Sequence, residues 1–210
     1  LTRVVRGDLG QSVTLHAPVL RLIASTLPAT LELAVASLVL AVGAGIPLGL
    51  IAARRRGRAL DTGTMILAQL GVSMPVFWLG VLLILLFAVR LNWLPSFGRG
   101  APLLPALIAG DLAGAADGLQ HLILPAFVQS VGAMAIITRT VRGDMLETLN
   151  RDFIRTARAK GLTERRVVMR HALRNAFIPT MTMIGLSFGF ALGGSVLVET
   201  VFDWPGIGLY

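Results

Sequence analysis

Residues 62–89 read TGTMILAQLGVSMPVFWLGVLLILLFAV, with no charged side chain anywhere in the run. A transmembrane helix needs about 20 mostly apolar residues. As one helix this run would reach about 42 Å, so tilt or a kink is expected, and Pro75 removes a backbone donor in its middle. Three further spans follow outward from it. Residues 27–53 carry a single charge, Glu32. Residues 121–141 contain the uncharged stretch 122–138, and residues 176–198 are uncharged. Pro47, Pro125 and Pro179 lie in or beside these spans, and membranes tolerate such breaks only where protein or a water-lined cavity satisfies the freed backbone groups.

The composition of all 210 residues agrees, being 55% hydrophobic and only 14% charged. The mean hydropathy is +0.77. Soluble domains carry about 25% charged residues, so a soluble enzyme, a secreted toxin, a disordered linker and an ordinary nucleic-acid binder are all poor readings. The expected fold class is all-α: one multi-pass transmembrane helical bundle over 1–210. The chain begins with Leu1 rather than Met, and it is expected to be a piece of a longer polypeptide.

Charge orients the bundle. Arg54, Arg55, Arg56 and Arg58 fill the link between the first two spans, and ten more basic residues lie between Arg139 and Arg174. Basic excess marks the cytoplasmic side. The links 54–61 and 142–175 are therefore expected inside, and the segments 1–26, 90–120 and 199–210 outside. Trp93 and Trp204 fall at expected outer interfaces, where Trp is enriched. The apolar run 101–110 is too short to span. Glu32, near the outer surface, suits the positive end of its helix.

Chemistry is sparse. Cysteine is absent, and the lone lysine, Lys160, is followed by Gly161, which rules out the phosphate-binding loop G-x-x-x-x-G-K-[ST]. His16, His121 and His171 have no metal-ligand spacing, and no catalytic constellation is visible. The chain is not read as an enzyme; any ATP that drives it is hydrolysed on another subunit, and no cofactor or metal is expected on this one. The basic loop lacks interleaved aromatics, so no nucleic acid is expected.

The informative loop is 144–175. Asp144 and Glu147 resemble a capping box. Leu146, Leu149, Phe153 and Ala157 recur at helical spacing with arginines between them. Gly161 stands where a left-handed cap is needed, Thr163 is placed to cap a second helix, and Val168, Met169, Ala172 and Leu173 give that helix an apolar face. The expectation is helix, glycine turn, helix beneath the membrane. It serves either contact with anionic lipid or docking of a cytoplasmic partner, with a small turn that lets another backbone approach.

Several positions have both a structural and a functional reading. Gly185, Gly189 and Gly193, with Gly194 beside them, form a small-residue face on the last span, suited to packing within the chain or against a second membrane chain. Gly45 and Gly49 form a weaker version. Gln69, Ser73, Pro75 and Trp78, and Gln129 with Ser130, are polar or kinked spots that either line a path or bond between helices.

The segment Arg155-Thr156-Ala157-Arg158-Ala159-Lys160-Gly161-Leu162, followed by Arg170-His171-Ala172-Leu173-Arg174-Asn175-Ala176 and Ile178-Pro179, resembles the "EAA" loop of permeases of binding-protein-dependent ABC importers, in the dipeptide/oligopeptide branch. The general motif opens Glu-Ala-Ala; here Arg155-Thr156-Ala157 stands in its place. Gly7-Asp8-Leu9-Gly10-Gln11-Ser12, Leu27-Pro28-Ala29-Thr30-Leu31-Glu32-Leu33, Phe77-Trp78-Leu79-Gly80 and Glu199-Thr200-Val201-Phe202-Asp203-Trp204-Pro205-Gly206-Ile207-Gly208 resemble other parts of that branch. The resemblance covers the chain in order and implies a type I importer in a bacterial inner membrane, with one more span at each end. It implies a sister permease, two cytoplasmic ATPase subunits, an external substrate-binding protein and surrounding lipid. Arg155, Thr156, Ala157, Lys160, Gly161 and Leu162 would form the ATPase-coupling element. The cargo would be di- or oligopeptides, with nickel, glutathione or another small solute as alternatives. A secondary transporter would need charged relays inside the spans, where only Glu32 stands, and a membrane scaffold would recruit a partner without moving solute.

Overall fold

A computed structural model describes residues 9–12, 16–193 and 196–209; Arg3, Arg6, Gly7, Asp8 and Gly194 lie outside them. The named elements are helices: α1 (Val19–Arg54), α2 (Ala59–Ser73), α3 (Val76–Arg90), α4 (Leu103–Ala109), α5 (Leu112–Leu149), α6 (Asp152–Ala159), α7 (Glu164–Gly193) and α8 (Val196–Phe202). A short 3-10 turn, Ile207–Leu209, follows.

Three of these, α1, α5 and α7, are long and apolar enough to cross a membrane. The pair α2 and α3 adds a fourth crossing only if both halves are counted as one, because they bend by 103° at the break before Val76. Pro75 sits there in extended backbone and biases Met74 away from the helical region. The expected kink is therefore a sharp turn rather than a tilt.

The long helices pack through two apolar clusters. One joins Ala41, Ile137, Val141, Met145, Ile154 and Val167 beside the hairpin, and the other joins Leu33, Leu122, Val128, Val198, Phe202 and Trp204 at the opposite end. Close approach of α1 to α5 is made possible by Gly49: a Cβ there would lie 2.6 Å from the Thr138 carbonyl oxygen and 2.8 Å from Val141 Cβ. The Thr138 hydroxyl sits against both the Met134 oxygen (2.7 Å) and the Gly45 oxygen (3.3 Å), tying α5 to α1.

Charged groups staple both ends. Asp61, 4% exposed, accepts from Arg142 Nε (2.5 Å) and Nη2 (2.8 Å) and from the Gly57 amide (3.0 Å). At the other end Glu32 pairs with Arg99 and accepts from the Leu103 amide at 2.7 Å. Helix α1 begins at Val19, more than three turns before Glu32, so this carboxylate does not serve the end of its own helix; it accepts from the first amide of α4 instead. It anchors the loop that leads into α4.

Trp204 also departs from expectation. It is fully buried, its indole N–H donates to the Ala29 oxygen at 2.9 Å, and the Arg99 guanidinium lies 6.0 Å from its ring centre. Beside it the buried Glu199 carboxylate accepts from the Thr30 hydroxyl (2.8 Å) and the Gly208 amide (2.7 Å), while Thr30 Oγ1 accepts from the Ile207 amide (2.8 Å). The segment 199–208 is thus tied onto the N-terminal half of α1, and the chain itself encloses Trp204. Trp93 is 67% exposed.

Candidate functional site

The 144–175 loop folds into a hairpin. Asp144 and Glu147 do not cap it: both lie within α5, which runs on to Leu149 before breaking. Leu146 and Leu149 belong to that longer helix, and α6 starts only at Asp152, whose carboxylate suits the positive end. Ile154 and Ala157 point inward, while Phe153, Arg155, Thr156 and Arg158 remain exposed.

The turn is a Schellman cap. The Leu162 amide donates to the Ala157 oxygen (3.3 Å) and the Gly161 amide to the Arg158 oxygen (2.9 Å). Gly161 has φ +73°, a conformation that glycine adopts without the Cβ penalty. No atom comes within 4 Å of where its Cβ would stand, so the turn faces open space. Leu162 packs back on the core. Across the turn Arg158 donates to both Glu164 oxygens, at 3.1 and 2.8 Å, and those bonds hold the guanidinium still more firmly protonated than usual.

Thr163 adopts extended backbone before Glu164 but makes no side-chain cap bond. The second arm is no separate helix. It passes through a wider, π-helical stretch at Val167–Ala172 and continues as α7 to Gly193. Force applied at the turn therefore reaches a membrane-length helix without a hinge loop. Ala157 is 7% exposed and faces the chain's own core. The inward stripe of a short amphipathic helix claims it, so it offers no surface to a partner. Arg155, Thr156, Lys160 and Gly161 are exposed and share the free side of the hairpin.

The polar spots within the spans separate into two kinds. Gln69 Nε2 donates to Ser73 (3.2 Å), and Gln69 Oε1 accepts from Arg139 (3.3 Å), so these groups serve helix contacts. Ser130 is fully buried and its hydroxyl donates to the Phe127 oxygen at 2.7 Å, which takes it off any path. Trp78 lies on an exposed face of α3. Gln129 borders a half-open cavity of about 310 Å³, where α1, α3, α5, α7 and α8 converge next to the Pro75 break. Gly185, Gly189 and Gly193 have nothing within 4 Å of their Cβ positions. Packing within the chain, the structural reading of that face, is ruled out among the described residues.

Residues 45–210 match the family described as binding-protein-dependent transport system inner membrane component. The chain belongs to that family. The match takes in the whole hairpin and both halves of the bent α2–α3 pair. Among similar proteins are the di/tripeptide transport system permease of Pseudomonas aeruginosa (strain UCBPP-PA14), 44% identical over 98% of this chain and 64% of that one, and the dipeptide transport system permease of Escherichia coli (strain K12), 43% identical over 98% and 65%. A glutathione transport system permease of Escherichia coli O6:H1 is 44% identical over 99% and 62%. The chain thus spans a little under two thirds of the length of these relatives. They are transport permeases, and an all-helical bundle with three membrane-length helices suits an inner membrane component.

Sequence reasoning missed the Asp61–Arg142, Glu32–Arg99 and Glu199–Thr30 pairings. A charge at the edge of or inside an apolar run was the available signal; the partner in each case lies more than 60 positions away.

Proposed function

We propose that this chain is a permease subunit of an ATP-driven importer that carries di- and oligopeptides inward. It would form part of the translocation path and pair with a sister permease. An external binding protein would deliver the cargo, and two cytoplasmic ATPase subunits would bind and hydrolyse the ATP. The observation that carries this reading is the hairpin: a glycine turn with open surroundings, flanked by exposed Arg155, Thr156 and Lys160, and continuous with α7. Closure of the ATPase pair would push on the turn and shift α7, provided the ATPase contacts the hairpin differently in its two states. The similarity to peptide permeases supports the cargo class. Glutathione is the second reading, favoured by the relative that bears that name.

The test uses the complete chain with Lys160→Cys, co-expressed with candidate ATPase subunits. A crosslink whose yield changes with ATP is expected. No crosslink, from a chain shown to be inserted and folded, overturns the coupling role and returns the hairpin to lipid contact.

A further inference from the structure

The four arginines of the link between α1 and α2 have no counter-charge of their own. Arg54, Arg55, Arg56 and Arg58 are all exposed, and none of their side chains makes a hydrogen bond or a close ion pair among the described residues. The carboxylates nearby are already taken. Asp61 is bonded to Arg142 and to the Gly57 amide. Glu164, within electrostatic reach of Arg54, is bonded to Arg158. The link is nevertheless held in one shape by its backbone. The Arg58 amide donates to the Arg55 oxygen at 2.9 Å, and Gly57 turns the chain at φ +74°. No atom lies within 4 Å of where a Gly57 Cβ would stand, so the turn faces open space. Residues 54–58 thus display their guanidinium groups from a fixed turn, with nothing in the chain to neutralise them.

The depth of the link says what the counter-charge is. Helix α1 is unbroken from Val19 to Arg54, and its residues 33–53 carry no charge. At 1.5 Å per residue that run spans about 32 Å, against a hydrocarbon core of about 30 Å. Arg54 therefore emerges at the level of the headgroups, and the chain turns back into α2 at Ala59. Exposed aliphatic side chains border the arginines on both sides, Ile51 at 45% and Leu60 at 55%. Guanidinium groups next to exposed aliphatics match a phospholipid, with its phosphate on the arginines and its acyl chains on the aliphatics. The planar arginine fork suits paired phosphate oxygens. A free phosphate would leave Ile51 and Leu60 uncovered, and an acidic protein surface would have to reach down to headgroup level.

We propose that the link between α1 and α2 binds the headgroup phosphate of an anionic phospholipid of the cytoplasmic leaflet, with Arg55, Arg56 and Arg58 as its ligands and Arg54 beside them. A general attraction of basic loops to anionic lipid needs no particular shape; here one backbone-closed turn makes a local site. That site adjoins the hairpin, because Ala53 packs in the same apolar cluster as Ile154, Ala157, Val167 and Val168. The inference is independent of the cargo and of the peptide-importer reading.

The test places the assembled importer in phosphatidylcholine vesicles with a trace of spin-labelled phosphatidylglycerol or spin-labelled phosphatidylcholine, and compares the fraction of each label that the protein immobilises. Wild type is expected to prefer phosphatidylglycerol. The combined variant Arg55→Gln, Arg56→Gln, Arg58→Gln is expected to lower that preference by about fivefold, the worth of at least one arginine near an anionic surface. The charge-matched combination Arg165→Gln, Arg170→Gln, Arg174→Gln should retain it. No loss in the link variant, or equal loss in both, overturns the site and leaves only a diffuse field. Displacement of the label by inorganic phosphate at constant ionic strength assigns the turn to a soluble anion and also overturns it. So does a wild type with no preference; loss of the ATPase subunits from the link variant would then give the arginines to a protein partner. Should the combined link variant fail to insert, the three single substitutions replace it: a reduced preference in any of them supports the site, and an unchanged one in all three overturns it.

Discussion

Two glycine faces of the same spacing meet opposite fates in this chain. Gly45 and Gly49 on α1 press against α5, where any Cβ would meet Ile137, Thr138 or Val141. On α7, a Cβ at Gly185, Gly189 or Gly193 would meet nothing within 4 Å among the described residues, and α7 is the least enclosed of the long helices, with Ile178 at 71% and Phe190 at 76% exposure. Small residues let helices approach, but they do not say which helix comes. The weaker-looking pair packs two long helices together, and the stronger-looking triad is left uncovered among the described residues. Asp61 and Gly161 divide in the same way, one turned into the bundle and the other out of it.

Substitutions that respect this division should sort by size. Gly49→Leu should be the most damaging: it overpacks a backbone contact that cannot yield, costing about 2–3 kcal/mol, and a thermal melt of the purified chain in detergent should show a clear drop. A normal melt would break the comparison at its inward side. Asp61→Asn should follow at about 2 kcal/mol, because Arg142 loses its charged partner while remaining partly buried; Asp61→Glu should recover less than half of that loss in the same melt. Gly161→Val places a β-branched residue at positive φ and should cost about 1–2 kcal/mol locally, while abolishing ATPase-coupled uptake. Gly161→Asn, which tolerates that conformation, should restore most uptake, and failure of that rescue would show that the turn needs an absent side chain rather than a backbone shape. Gly189→Leu should change the chain's own stability by less than about 0.5 kcal/mol. Its effect should appear instead in lost co-purification with the sister permease, and unaltered association would assign that face to lipid.

The inward and outward faces also divide the charged groups. Glu32, Asp61 and Glu199 all hold loops or helices of this chain in place. None is left over as a proton relay, which is what an ATP-independent carrier would be expected to use. Arg155 on the hairpin behaves differently: it is 77% exposed, with Asp152 as its ion-pair neighbour at 3.5 Å.

Much of this was written along the chain. Charge-free runs announced membrane helices because lipid offers backbone groups no partners, and hydropathy is a sum over neighbours in sequence. The hairpin was legible for the same reason: an amphipathic period, a glycine cap and a second apolar face are all local, and Gly161 does take the left-handed conformation its position called for. The local reading erred where a longer element absorbed the signal, as when α5 ran through Asp144 and Glu147.

Tertiary structure alone decided the rest. It set the 103° bend at Pro75, which sequence marks only as a break. It buried Trp204 against Ala29, turned Ala157 inward and spent Ser130 on its own helix. The physical reason is common to all of these. Inside a membrane the lipid-facing and protein-facing sides of a helix are equally apolar, so hydropathy can place a helix in the bilayer but cannot choose which of its faces meets a neighbour. Only packing between residues far apart in sequence makes that choice, and with it decides which polar groups find partners.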